Sequence, residues 1–198
     1  MPLDIKKINI IVEIRTKKQL DQLVSGVHQG IILEVPDYQY TSLRELIDIN
    51  PNFLVILDHL EDPHNFGAII RTCEAANVNG IIIPKDRSVQ VNETVMKVST
   101  GALNNIKICQ VTNLVASMKE LKKEGFWFIG TDMDGTNYNE IDYSGKIGIV
   151  IGNEGFGMSR LVKEECDFVA SIPMYGHVNS LNASVATGII LYKALDKR

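Results

Sequence analysis

The 198-residue chain is short of the features that define several broad protein classes. It has three cysteines, Cys73, Cys109 and Cys166, far apart and without a CxxC pair. Neither a disulfide frame nor a zinc-ribbon spacing is available, and reduced, mostly buried thiols of a cytoplasmic protein are expected. Only 15 glycines and 6 prolines exclude collagen-like and low-complexity architectures. No apolar run approaches the roughly 18 to 20 residues that span a bilayer, so no membrane association is expected. Runs such as 81–83 and 147–151 are strand-sized. The N-terminus, MPLDIKKINIIVEIR, lacks an apolar core followed by a small-residue cleavage site, so no secretory signal is expected. Cationic excess is missing too: 20 Lys and Arg face 24 Asp and Glu, a net charge of −4. That argues against a protein that holds nucleic acid by bulk electrostatics alone. What remains is a globular composition, 45% hydrophobic and 22% charged, sufficient for one full domain and a small appendage.

Asn50-Pro51-Asn52 breaks the chain before a strongly apolar run. Upstream, residues 8–14 read as a strand, 17–24 as a short helix and 30–35 as another strand. About fifty residues are few for an independent core. Downstream, strand and helix patterns alternate. Strands are expected at 53–58, 80–84, 106–111, 126–131, 147–152 and 168–173, and helices at 66–76, 91–98, 114–123, 159–165 and about 181–195. Continuous apolar strands alternating with helices indicate an α/β fold with a mostly parallel sheet, covered on both faces. In such sheets ligands bind beyond the carboxyl ends of the strands. The polar, glycine-bearing stretches after Asp58, Ile129, Ile151 and Ile172 fall there.

Several motifs carry less than they suggest. Asp132-Met133-Asp134-Gly135-Thr136 matches the DxDGT loop of haloacid-dehalogenase-type phosphatases. Only 62 residues follow Thr136, however, and Gly152-Asn153-Glu154 offers one carboxylate where a pair is wanted. Gly152 to Gly157 is spaced GxxGxG, not the dinucleotide GxGxxG. His28, His59, His64 and His177 have no metal-ligand spacing, and no metal is expected. Three loops then stand out: 64–72, where Asn65 can cap a helix and Arg71 lies about two turns inside it; 151–159; and 172–186. Each has a structural explanation taken alone, as cap or turn.

Together, NxGxxxRT at residues 65–72, IGNEGxG at 151–157 and IPMxGxxxSLNxSVA at 172–186 resemble, in order and spacing, the three motifs of the SpoU (TrmH-type) RNA 2′-O-ribose methyltransferases of the SPOUT superfamily. The resemblance implies a C-terminal deep trefoil knot, a homodimer and S-adenosyl-L-methionine as methyl donor. By position it assigns donor binding to Thr131, Gly152, Ile172, Met174, Leu181 and Asn182, and catalysis to Arg71, Asn65, Glu154, Ser180 and Asn182. By the same resemblance Arg71 corresponds to the family's catalytic arginine, and Glu154 is expected to anchor its own loop or Asn65. Because a guanidinium scarcely gives up its proton in water, an electrostatic role on the target phosphate and the developing alkoxide suits Arg71 better than that of a base. The expected substrate is structured RNA, a guanosine of 23S rRNA before tRNA. The competing reading is a non-catalytic knotted RNA-binding dimer. Residues 1–50 resemble the last part of an L30e-like RNA-capture domain, and 51–198 the methyltransferase domain. Cations near the motifs are few: Arg71, Lys85, Arg87, Lys97 and Lys107.

Overall fold

The computed structural model describes residues 11–24, 26–34 and 36–196. They form two compact units divided between Tyr38 and Gln39. The smaller holds one helix, α1 (Lys17–Leu23), started by a capping box: Thr16 Oγ1 accepts the Gln19 amide and Gln19 Oε1 accepts the Thr16 amide. Beyond it, His28 Nδ1 accepts the Gly30 N–H at 2.9 Å, so Nε2 carries the proton it shares with Asp21 Oδ1 at 2.9 Å. Of the strand expected over 8–14, residues 8–10 lie outside the described residues, while 11–14 form no strand and are exposed. The strand expected over 30–35 is likewise not formed over 30–34; Val35 lies outside the described residues. Ile31 and Leu33 stay largely in solvent, because alternation alone makes no strand without a partner edge.

The larger unit opens with α2 (Leu43–Asp48), which the sequence reading missed. Ser42 and Glu45 form its capping box. Its one buried residue, Leu46, sits so close to Gly80 that a Cβ there would lie 2.7 Å from Leu46 Cδ1. Six strands follow: β1 (Phe53–Leu57), β2 (Gly80–Pro84), β3 (Lys107–Val111), β4 (Phe126–Asn137), β5 (Lys146–Ile151) and β6 (Phe168–Ser171). All pair in parallel, in the order β3-β2-β1-β5-β4-β6. Between them run α3 (Pro63–Ala75), α4 (Glu93–Val98), α5 (Leu114–Lys123) and α6 (Arg160–Glu164), and α7 (Ala183–Leu195) closes the chain. All five residues of β1 are buried, as a strand flanked by strands and covered on both faces requires. Leu54, Ile56, Ile82, Phe128 and Val150 share one core with Leu46, Met118, Leu121 and Val162. Alternate residues such as Val55 and Ile149 face the other side, where α3 and α7 pack together. Burial raises the thiols of all three cysteines, Cys109 and Cys166 to about 12, which leaves them unreactive.

Three boundaries differ from expectation for identifiable reasons. The cap of α3 is Asp62, whose side chain accepts the His64 N–H, with Pro63 in the first position; Asn65 is therefore inside the first turn, not its cap. The cap of α7 is Asn182, so that helix begins at Ala183. Strand β4 continues past Thr131 because Ala170 pairs with both Thr131 and Thr136, which leaves 132–135 as a bulge. At Gly135 a Cβ would lie 2.4 Å from the Val169 carbonyl oxygen. Gly135→Ala should therefore cost roughly 1 to 3 kcal/mol of stability, read as a lowered urea midpoint at unchanged slope.

Candidate active site

The strand order reverses between β1 and β5, and the loops leaving their carboxyl ends diverge there. Asp58, fully buried at the end of β1, joins the two sides. One carboxylate oxygen accepts the Ser159 N–H at 2.6 Å and the other pairs with His59 Nδ1 at 2.6 Å. Asn153 Nδ2 donates to the His59 carbonyl at 2.7 Å, and Asn153 and Gly157 exchange backbone hydrogen bonds in an isolated bridge. That bridge folds the loop back on Gly152 so tightly that a Cβ there would lie 2.3 Å from Gly157 C and Met158 N. Only glycine fits.

A polar relay then connects three loops far apart in sequence. Glu154 accepts the Asn65 side-chain amide at 3.1 Å and reaches the backbone amides of Glu61 and Asp62 at 3.4 and 3.3 Å. Asn65 Oδ1 in turn accepts Asn182 Nδ2 at 2.8 Å. Asn182 Oδ1 accepts the Ser184 and Val185 amides and the Ser184 hydroxyl, which starts α7. Asn65 is buried, so each of its amide groups needs this partner.

The relay borders a cleft of about 690 Å³ at the carboxyl ends of β4, β5 and β6. Of the residues singled out by sequence, Asn65, Thr131, Gly152, Glu154, Ile172, Met174, Ser180, Leu181 and Asn182 all line it. Arg71 does not; it lies exposed on α3, beyond the turn that carries Asn65. Asp132 and Met133, set aside in the sequence as part of a phosphatase-like motif, also line the cleft. Lys163 donates to Asp132 at 2.6 Å, and that hydrogen bond holds the carboxyl below its usual range. Thr131 Oγ1 is turned to the Val150 carbonyl at 3.1 Å. The volume is that of a small-molecule cofactor site, and apolar Ile172, Leu181, Ala183 and Ala186 stand beside backbone and amide groups that can orient a ligand. Among the described residues no cluster of His, Cys, Asp and Glu is arranged to hold a metal, and no helix is long and apolar enough to cross a membrane.

Residues 52–192 match the SpoU rRNA methylase family, and residues 1–41 match an RNA 2′-O ribose methyltransferase substrate-binding family. The chain belongs to the SpoU rRNA methylase family. Its class is that of S-adenosyl-L-methionine-dependent RNA methyltransferases. YacO of Bacillus subtilis, a TrmH-family protein with a provisional tRNA/rRNA methyltransferase name, is 45% identical over 199 residues, covering 98% of this chain and 80% of YacO. An AdoMet-bound rRNA methyltransferase from Sinorhizobium meliloti superposes with a TM-score of 0.73 at 32% identity, over 80% of this chain and 61% of that one. The chain thus spans about three fifths of that protein's length. The A. aeolicus TrmH/SpoU tRNA modifying enzyme superposes with a TM-score of 0.67 at 35% identity, over 79% of this chain and 82% of that one. The α/β fold built on the six-stranded parallel sheet described above superposes on these SpoU/TrmH methyltransferase structures.

The dual place of Asn182, as helix cap and relay donor, can be separated. Asn182→Ala should lose roughly 2 to 4 kcal/mol of stability, the cap and the donor to buried Asn65 together, whereas Asn182→Ser, which can still cap α7, should recover only the capping share of about 1 kcal/mol, because Asn65 Oδ1 stays without its donor. Chemical denaturation of the two variants checks this.

Proposed function

We propose that this protein methylates a ribose 2′-hydroxyl in structured RNA, with a guanosine of 23S rRNA as its target, and that the cleft holds the methyl donor. The observation that carries the reading is the convergence of nine separately placed residues, from Asn65 to Asn182, on one cleft at the switch point of the sheet. Bound there, S-adenosyl-L-methionine supplies a methyl group activated by its sulfonium. The chain's own part is placement. Backbone groups at Gly152, Ile172 and Leu181 orient the adenosine, while Ile172, Met174 and Leu181 cover it and exclude water. Asn65, Glu154, Ser180 and Asn182 hold the loops that bring the ribose hydroxyl to the methyl carbon. Arg71, exposed and without an ion pair among the described residues, holds the RNA phosphate and stabilises the oxygen as it loses its proton. Residues 1 to about 50 belong to an RNA-capture segment, a reading supported by the match of 1–41 to a substrate-binding family. The family's C-terminal trefoil knot and a cytoplasmic site of action belong to the same proposal.

A homodimer is part of it as well. On α7, Val185 and Tyr192 are half exposed on the face that Ile189 shares, at helical spacing, and this helix is apolar nearly all round. Such a face calls for cover, and a second copy supplies it. Sedimentation at micromolar concentration should give a dimer; a monomer contradicts this part.

Incubation with tritiated S-adenosyl-L-methionine and separate unmodified rRNA and tRNA pools, followed by mapping of the labelled nucleotide, tests the substrate. Label in tRNA alone moves the target to the alternative of tRNA ribose methylation; label in neither favours a binding protein. Arg71→Ala should slow single-turnover methylation by roughly a hundredfold or more while leaving donor affinity nearly intact. Leu181→Asp should weaken donor binding itself, because it sets a charge against an apolar ring. Calorimetric titration of the donor into both variants separates the two roles, and equal loss in both would place Arg71 on the donor side.

A further inference from the structure

Between β2 and α4 the chain makes a turn that is more firmly built than its exposure requires. The Gln90 side-chain amide donates to three carbonyls at once, those of Pro84, Lys85 and Ser88, at 3.1 to 3.3 Å. Gln110, on β3, donates to Gln90 Oε1 and fixes the amide from below. The turn is also tied to the segment that leads from β1 into α3: Leu60 O accepts the Val89 N–H at 2.7 Å and the Ser88 hydroxyl at 3.2 Å. Tyr40 closes its far end by accepting the Val91 N–H at 2.8 Å. Within this frame Arg87 has a φ of 51°, a left-handed conformation that a long side chain enters only under constraint.

The frame holds Lys85 and Arg87 outward. Both are exposed, and neither makes an ion pair among the described residues. Asp86 between them is exposed too, so the turn carries one positive charge in excess. A turn that buries only Val89, spends a strained backbone and locks itself through a half-buried glutamine gains nothing for the core by pointing two cations at water. It gains for binding, because a turn whose backbone is already fixed loses no backbone freedom when an anion arrives, and only the two side chains remain to be ordered. Its position names the anion. The turn stands at the carboxyl end of β2, beside the loop that caps α3 two residues after Leu60 and leads to Asn65. This is the sheet end on which the cleft opens.

We propose that the locked β2–α4 turn is a phosphate clamp, in which Lys85 and Arg87 grip the RNA backbone beside the nucleotide delivered to the cleft. The proposal rests on the reading of the cleft as an RNA methylation site and adds a fixed contact outside the segment matched to substrate binding. It also accounts for RNA recognition by a chain of net charge −4: a few placed cations take the part of a basic surface.

The test compares the full chain with a Lys85→Ala/Arg87→Ala double variant and with Gln90→Ala, which keeps the charges and removes the lock. Affinity for in vitro transcribed, unmodified 23S rRNA is measured by filter retention across a potassium chloride series, with donor affinity by calorimetry and thermal unfolding alongside. The double variant should bind RNA roughly tenfold more weakly at moderate salt, with a log–log salt slope shallower by roughly two, one for each phosphate released. Donor affinity and melting temperature should hold. Gln90→Ala should weaken RNA binding with a slope nearer the parent's, since both cations remain. An unchanged slope in the double variant overturns the clamp, as does a loss of donor binding or stability equal to the loss of RNA binding. A parent chain that binds RNA through these cations yet methylates none overturns the proposed function and leaves the clamp standing. A parent that methylates RNA with a slope indifferent to the two cations does the reverse, and a parent that binds no RNA removes both.

Discussion

The whole site depends on how the carboxyl end of a parallel sheet is tied off. Six strands end side by side, and the loops beyond them carry backbone amides and carbonyls that the ladder no longer satisfies. Here they are satisfied by side chains of the neighbouring loop. Asp58 takes the Ser159 amide, Asn153 the His59 carbonyl, Glu154 the amides of Glu61 and Asp62, and Asn65 joins Glu154 to Asn182. Each bond is worth about 1 kcal/mol net, but leaving a buried partner unmade costs more, about 1 to 3 kcal/mol, so the set acts as an all-or-none brace. The same bonds that tie the loops also carve the cleft between them. Stability and ligand geometry are here one arrangement.

How far the sequence reveals this follows from the range of each signal. The strands were legible because burial on both faces demands continuous apolar runs, and FLVIL and KIGIVI cannot be much else. Helix α5 was legible residue for residue, with Asn113 as cap and glycine after its end. Helix α2 was not, since six residues with one buried side chain have too little periodicity to stand out. The exposed strands expected near the N-terminus failed for the opposite reason, a local pattern with no neighbour to answer it. In the site, residue types and loops could be read, and the family resemblance pointed to Glu154 as an anchor of Asn65, but the bond from Asn182 to Asn65 was not legible. Glu154 and Asn65 are 89 positions apart and Asn65 and Asn182 are 117 apart, and no spacing rule links them. The reversal that made Asp62, not Asn65, the cap is what frees Asn65 for its place at the centre.

Asp132 illustrates how one motif can mislead in chemistry and inform in place. The DxDGT string suggested a phosphoryl nucleophile, yet its first aspartate is engaged by Lys163 and its glycine is demanded by the β4 bulge against Val169. The sequence pattern there is that of a strand leaving and re-entering register. The excursion brings Asp132 and Met133 to the rim of the cleft.

The chain order of the strands also bears on how the molecule comes into being. β1, near the middle of the sheet, pairs with β5 some ninety residues later, and β4 is enclosed only when β6 arrives on its outer side. The cleft draws on Asn65 at one extreme and Ala186 at the other. A nascent chain emerging from the ribosome therefore has no pocket until nearly its last helix is released, and such distant pairings make for slow folding. A ligand of this cleft can recognise only the finished molecule, so its binding free energy is added wholly to the native state and none of it to partly made chains. A methyl donor seated in this cleft, as proposed, would thus also lock in the finished fold by mass action, without helping the chain to reach it.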